Sequence, residues 1–573
     1  MWYGIACMAL LKILLASTNA LLVLADGYAA PHYSPEEAQG RNGAVAAEAT
    51  ACSQIGLELL KANGSAVDAA IGAALCQGIV YPFSSGIGGG GVMLIKHVDR
   101  DEAVFIDFRE TAPSKSTQLM FLNASSVLGG MSVAVPGELR GLEEAHKRYG
   151  NLPWKDVVAP AVRLARDGHV VTNQLALRLK RRAVDVISSA GLSSEYMGPS
   201  GTLAREGQLL RHPKLAVTLQ RVADSGANAF YTGEIAHNIV NTVQRDGGIL
   251  TEEDLAGYRP TVQTALKGSV FNHTLYFTQP PTSGAVAFHT LKLMETFKAT
   301  EFSPQYAHHL TEAFKLGYAG RSLLGDPAFI DATKEVEFLT NPANLESQLS
   351  LLSESQTFEP KHYFKNISPS LNKDTHGTSH ISSVDSYGLT VSMTTTVNLE
   401  FGSKLLCPTT GVLLNNEMDD FSTPGKPNYF GLEPSQSNYI EPGKRPFSSM
   451  SPLIMQGKDD VIIIGAAGGS RITTSVVQTI LNLLQLNHTL TDAVALGRLH
   501  HQLAPNEIRL ESSAFEPSLI DSLRSQNHTI VTFDIPESVV NVIQARRLST
   551  TSSTPWSFSA VTDPRKGGTA AAF

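Results

Sequence analysis

The segment that most constrains this 573-residue chain is His376–Ser403, HGTSHISSVDSYGLTVSMTTTVNLEFGS. Small and β-branched residues dominate two runs, SHISSVD and LTVSMTTTV, with a tight turn at Asp385–Gly388 between them. Such residues suit a pleated, packed surface, so the pattern predicts an antiparallel hairpin. Pairing outward from the turn sets Thr378 opposite Thr395 or, one residue off, Thr396. The Ser/Pro/Asn-rich stretch 350–373 upstream has no periodicity and reads as an exposed tether. A chain break just before Thr378 would therefore be tolerated.

Gly-Thr recurs at Gly201 and Gly568, but only Gly377-Thr378 joins a loose linker to the first residue of a strand. A threonine freed there gains an α-amine, whose unperturbed pKa of ~8 suits a base near neutral pH. Nucleophile and base then share one residue. Before cleavage the same hydroxyl can attack the Gly377 carbonyl, which no side chain obstructs. A plain strand rich in β-branched residues explains Thr394–Thr396 equally well from the pattern alone.

An apolar share of 42% and a charged share of 17% describe a globular chain with a sizeable core, as two domains or one large sheet assembly. A formal net charge of -8, with no basic cluster interleaved with aromatics, argues against nucleic acid as a partner. Trp2–Leu24 is apolar apart from Lys12 and Ser17-Thr18-Asn19, which reads as a leader over 1–30. A signal peptide would use Ile13–Leu24 as its apolar region and exit near Ala25–Ala30. An uncleaved signal anchor is the rival, although Lys12 in mid-span costs ~2.5–3.5 kcal/mol. Either reading places the chain outside the cell, secreted or anchored at the outer face of the plasma membrane. Acceptor sequons at Asn63, Asn123, Asn272, Asn366, Asn487 and Asn527 accord with that side.

Residues 44–64, AVAAEATACSQIGLELLKANG, read as helical up to the Asn63-Gly64 turn, where Ser65 and Asp68 form a capping box for a second helix. Cys52 and Cys76 each lie twelve residues from Gly64, face to face in a helical hairpin. A disulfide fits an oxidising compartment; two buried thiols are the alternative. Cys407 reads as a buried free thiol. After the strands in SSGIGGGGVMLIKHV and AVFIDFRETAP, the chain reads as mostly helical to about Ala332. Near the C-terminal end, VIIIGAAGG feeds a helix from Ser470.

Gly86, Gly88 and Gly91 match a G-x-G-x-x-G spacing, but a strand follows where a dinucleotide site needs a helix. His376 and His380 lack a metal-site context, and His308-His309 and His500-His501 read as surface or core histidines. No metal and no cofactor is expected.

The block from Thr378 through LLNNEMDDFS, PFSSMSP and GAAGGSRITT closely resembles the γ-glutamyltransferases (γ-glutamyl transpeptidases), which are N-terminal-nucleophile hydrolases. The likeness runs from about Gly43 to the DPRKGG region and includes GSAVDAAI, SGIGGG, FRETAP, VPGE and PPTSG. It implies an α+β fold, a four-layer αββα sandwich. A large part, 31–377, and a small part, 378–573, would arise from one self-cleaved precursor and stay together as a heterodimer.

The resemblance also implies roles at matching positions. Thr378 is the nucleophile, Thr396 orients it, and the backbone N–H groups of Gly468 and Gly469 form an oxyanion hole. Arg109 grips the substrate α-carboxylate with a bidentate fork, assisted by Ser448 and Ser449. Asn398, Glu417 and Asp420 receive the α-ammonium group. The expected donors are glutathione and γ-glutamyl conjugates, and the expected acceptors are amino acids, dipeptides or water. STPGKPNYFGLEPSQ resembles a lid loop, with Tyr429 or Phe430 as cover. Glu400 replaces a tyrosine found in some animal members, which puts acceptor preference in question.

Overall fold

The hairpin is the centre of the fold. Strands are labelled β1–β14 in chain order across the two large sheets. The computed structural model describes residues 28, 33–198, 201–364, 377–426, 434–534, 538–548 and 556–573. Within the described part the first strands are β1 (Glu37–Gly40), β2 (Gly43–Ala47), β3 (Gly90–His97) and β4 (Ala103–Phe108). Then follow β5 (Thr261–Thr264), β6 (Leu266–Val270), β7 (His273–Phe277), β8 (Gly377–Asp385) and β9 (Leu389–Asn398). The last are β10 (Leu453–Gln456), β11 (Asp460–Ala467), β12 (Val539–Arg547), β13 (Trp556–Thr562) and β14 (Ala571–Ala572).

One antiparallel sheet runs β14-β2-β8-β9-β3-β4-β5 and the other β1-β13-β12-β11-β10-β7-β6. β8 and β9 pair from Val384↔Thr390 through Thr378↔Thr396, and the register then slips so that Gly377 faces Asn398. Every residue of β8 is buried, because the sheet is covered on both faces. The strand's serines are therefore satisfied internally. Ser392 Oγ, on β9, donates to the Ile464 carbonyl of the second sheet at 2.9 Å, and Asn541 Nδ2 donates to the His380 carbonyl at 2.6 Å. These bonds cross between the sheets and lock their faces together.

Helices cover the two outer faces, completing the αββα layering. Over the first sheet lie α1 (Thr50–Lys61), α2 (Ala66–Val80) and α3 (Glu138–Tyr149). Over the second lie α4 (Gly284–Thr296), α5 (Pro304–Arg321) and α6 (Arg471–Leu484). The α1–α2 hairpin turns at Asn63 in the left-handed region (φ 64). The Ser65–Asp68 capping box forms, with Asp68 N–H to Ser65 Oγ at 3.1 Å and Ser65 N–H to Asp68 Oδ2 at 2.9 Å. Cys52 and Cys76 are disulfide-bonded, with Cα atoms 5.4 Å apart. Cys407 is a buried free thiol.

Three sequence expectations are corrected. Residues 44–47 are strand, and the helix begins only at Thr50. Alanine's helix preference is worth tenths of a kcal/mol per residue, whereas Ala44–Ala47 pair with β8 on one side and β14 takes the other. Residues 261–277 form three strands within the stretch expected to be helical. Finally, 350–364 is not wholly exposed: Thr357 and Tyr363 are buried on α5, where both hydroxyls donate to the Glu312 carboxylate. The remainder of the expected tether, 365–376, lies outside the described residues.

Candidate active site

Thr378 begins the regular β8–β9 register, and its side chain meets Thr396 across the ladder, Oγ1 to Oγ1 3.1 Å apart. Thr396 Oγ1 also donates to the Gly377 carbonyl at 2.7 Å and accepts the Asn398 N–H at 2.8 Å. In the unbroken chain one hydroxyl thus touches both the attacking oxygen and the carbonyl it would attack. The slip between Gly377 and Thr378 makes this triangle possible. A Cβ on residue 377 would lie 2.3 Å from the Leu399 carbonyl oxygen, so only glycine fits the slip.

A small cavity opens beside Thr378. Its lining brings together Arg109, Thr396, Asn398, Glu417, Asp420, Ser448, Ser449 and Gly469, residues drawn from positions over 300 apart in sequence. Arg109 follows β4 and is buried. It donates from Nη1 to Glu417, from Nη2 to Asp420 Oδ2 at 2.8 Å, and from Nη2 to the Pro446 carbonyl at 3.1 Å. Burial opposes its charge, but the Glu417 and Asp420 carboxylates outweigh that and raise its pKa. Burial raises Glu417 well above the usual carboxylate range against the pull of Arg109. Glu110, buried beside them, is pushed up to about 7 for the same reason. Proton-sharing among these carboxyls keeps the buried charge small.

Ser448 and Ser449 sit on a loop held by backbone contacts to the PPTSG turn. Ser448 N–H donates to the Pro281 carbonyl at 2.7 Å, and Ser283 Oγ donates to the Ser448 carbonyl at 2.8 Å. Gly468 and Gly469 link β11 to α6 with φ of 142° and 58°, a backbone path that side chains strain against. Gly469 lines the cavity and Gly468 adjoins it in sequence. Asn398 anchors its amide on the Asn416 carbonyl at 2.9 Å.

Sequence reasoning missed a second group behind the nucleophile. Lys566, in the DPRKGG segment, donates to the Thr378 carbonyl at 3.0 Å and to the fully buried Glu48 carboxylate. Glu48 also accepts from Ser379 Oγ (2.9 Å), the His380 N–H (3.1 Å) and Gln77 Nε2 (3.3 Å). The only signal for it was that a lysine closes a polar motif near the C-terminal end. Glu400 is buried and paired with Arg178, Arg181 and Arg182 at 3.2, 3.4 and 2.9 Å.

The other sequence candidates fall outside this cavity. His380 is buried between the sheets, bonded to Thr394 (2.9 Å) and Ser382 (3.1 Å). His308, His500 and His501 are buried. His308, Glu312 and His528 are close enough to hold a cation, but Lys315 already sits 3.7 Å from Glu312 and the two imidazoles bond each other at 2.7 Å. Asn63, Asn123, Asn272, Asn487 and Asn527 are exposed. Asn366, His376, the leader segment apart from Tyr28, and the lid residues Tyr429 and Phe430 lie outside the described residues. Among the described residues no helix is long and apolar enough to cross a membrane.

Two facing antiparallel sheets, helices outside both, and a threonine hydroxyl at a strand end beside a carboxylate-and-guanidinium pocket define the αββα class of acyl-transfer enzymes. The Gamma-glutamyltranspeptidase family profile matches residues 52–573, and the chain belongs to that family. It is 40% identical over 501 residues to Scoloptoxin SSD14 of Scolopendra dehaani, covering 85% of each chain. To Glutathione hydrolase proenzyme 1 of Schizosaccharomyces pombe it is 39% identical over 503 residues, 86% of this chain and 79% of that one. The Glutathione hydrolase proenzyme of Escherichia coli is 34% identical over 508 residues, 86% of each. Among solved structures, a cephalosporin acylase from Bacillus halodurans superposes with a TM-score of 0.81 at 25% identity, over 95% of this chain and 99% of that one.

Proposed function

We propose that the chain cuts itself at Gly377-Thr378 and then acts as a γ-glutamyltransferase and glutathione hydrolase. The observation that carries this is a single cavity holding the Thr378 hydroxyl at one side and Arg109, Glu417, Asp420, Ser448 and Ser449 at the other. That pattern suits an acyl group whose far end bears both a carboxylate and an ammonium. A glutaryl-type acyl group, the substrate of a rival acylase reading, has no ammonium for Glu417 and Asp420 to hold.

In self-cleavage Thr378 Oγ1 adds to the Gly377 carbonyl, polarised by Thr396, and the C–N bond breaks. The hydroxyl proton ends on the freed Thr378 amine, and water hydrolyses the ester to a Gly377 carboxylate. In turnover that amine takes the Thr378 proton as the oxygen attacks the γ-carbonyl of the donor. Gly468 and Gly469 N–H groups receive the developing oxyanion. The Cys-Gly amine leaves with the proton, and water, an amino acid or a dipeptide displaces the γ-glutamyl ester. The two products of self-cleavage, one ending at Gly377 and the other starting at Thr378, remain together because β8 pairs with β2. The leader and the exposed sequons support an extracytoplasmic site of action. Tyr28 is buried against Phe302 and Phe515, so a leader cut that spares the folded body falls before it.

The test is purification, a denaturing gel, N-terminal sequencing and release of the anilide from a γ-glutamyl anilide. Two bands with Thr378 leading the smaller, plus anilide release, are expected. One uncut band with no release overturns the reading.

A further inference from the structure

The cavity contains a second guanidinium. Arg321 ends α5 and lines the cavity together with Thr378 and Ser449. The carbonyl end of a helix favours a cation there. Its Nη2 donates to Ser449 Oγ at 3.3 Å and its guanidinium lies 4.8 Å over the Phe447 ring. Its Nε is buried without a hydrogen-bond partner, and among the described residues no carboxylate pairs with it. Arg109, by contrast, already holds two carboxylates.

A half-buried guanidinium with no carboxylate in ion-pair contact gains when an anion arrives to pair with it. Arg109 already spends its Nη atoms on Glu417, Asp420 and the Pro446 carbonyl, which leaves Arg321 as the cavity guanidinium with no carboxylate in ion-pair contact among the described residues. Arg321 supplies a second guanidinium on the Ser449 side of the cavity.

We propose that Arg321 is a second carboxylate-binding residue, acting with Arg109, Ser448 and Ser449 on the α-carboxylate of the γ-glutamyl donor. The inference rests on the γ-glutamyl reading above and adds a determinant to it. Arg321 makes the site select donors that carry an α-carboxylate.

The experiment compares wild type, Arg321→Met and Arg321→Lys after a gel has shown that each is self-cleaved. Three anilide donors are used: γ-glutamyl, glutaryl (no α-amine) and 4-aminobutyryl (no α-carboxylate). Losing one charge-assisted contact should raise KM for the γ-glutamyl and glutaryl anilides by ~10–100-fold, with kcat changed by less than ~3-fold. For the 4-aminobutyryl anilide kcat/KM should be unchanged; where its turnover is slow, its inhibition constant against the γ-glutamyl anilide serves instead. Arg321→Lys should recover part of the loss. Arg321→Met combined with Ser449→Ala should lose more than Ser449→Ala alone. Equal losses with and without the donor carboxylate, no loss at all, or no added loss in the double variant each overturn the proposal. A wild type inactive on the γ-glutamyl anilide instead sinks the underlying function.

Discussion

Replacing Lys566 with Met in a Thr378→Ala background isolates what the buried ammonium does. The background keeps the precursor as one covalent chain, so unfolding is a single-molecule event. Met preserves the apolar stem that runs beside Tyr81 and Phe83, whose ring centroids lie 5.8 and 5.3 Å from the ammonium. What disappears is the charge that pairs with Glu48 and the hydrogen bond to the residue-378 carbonyl. Orphaning one member of a buried ion pair costs ~3–5 kcal/mol. Glu48 keeps bonds from Ser379, His380 and Gln77, which places the expected loss at the lower end, ~3 kcal/mol. Adding Glu48→Gln removes the orphaned charge, and the double variant should sit within ~1.5 kcal/mol of the background, the worth of the hydrogen bond still missing. Urea unfolding of all four proteins gives the coupling energy. A double variant whose loss equals the sum of the two single losses within ~0.5 kcal/mol would refute the pairing argument.

Thr396→Val keeps the shape of the side chain but takes the hydroxyl from the Gly377 carbonyl and the Asn398 N–H; appearance of the two cleaved bands should slow at least ~10-fold, since one well-placed donor on a developing oxyanion is worth that or more. Thr396→Ser should cleave normally, and a Val variant that matches wild type discounts the hydroxyl. Cys52→Ala with Cys76→Ala opens a loop with a sequence separation of 24, and chain entropy alone predicts a loss of about 3.5 kcal/mol in urea unfolding of the Thr378→Ala precursor. An unchanged midpoint would show that the α1–α2 hairpin is already ordered in the unfolded chain. Burial holds His380 down to about 3 and His289 to about 4, so the unfolded chain binds protons that the folded one refuses. Their contribution to stability is therefore full above pH ~6.5 and falls below it by up to ~1.4 kcal/mol per pH unit for each histidine. His380→Asn should flatten the urea-midpoint slope between pH 6.5 and 5 by about one proton; an unaltered slope would exclude it as a source.

The nucleophile pair was legible because a period of two and a tight turn leave little freedom of register: Thr378 had to face Thr395 or Thr396, and the unbroken register from Val384↔Thr390 sets it on Thr396. The disulfide was legible from symmetry about Gly64. Arg109, Glu417, Asp420, Ser448 and Ser449 were reached only through family resemblance, since a charged turn and a serine loop look like solvated surface in isolation. Residues 44–47 misled because alanine is a helix former wherever no sheet claims it, and 261–277 because its strands are only four or five residues long. Lys566 and Arg321 were invisible for another reason. Each is meaningful only beside partners brought together by the sandwich: Glu48 lies 518 positions from Lys566, and Ser449 lies 128 from Arg321.

The link between Lys566 and the Thr378 carbonyl spans 188 positions of sequence, and β14 lies on the strand next to β8. A chain emerging from the ribosome presents Gly377-Thr378 long before Lys566 exists. The bond to be cut is thus complete in covalent terms while its surroundings are still unfinished. β14 and Lys566 come nearly two hundred positions after Thr378, so the surroundings of that bond are completed by a distant stretch of the same chain. A chain that stops before Asp563 carries the Gly377-Thr378 bond without the ammonium behind it.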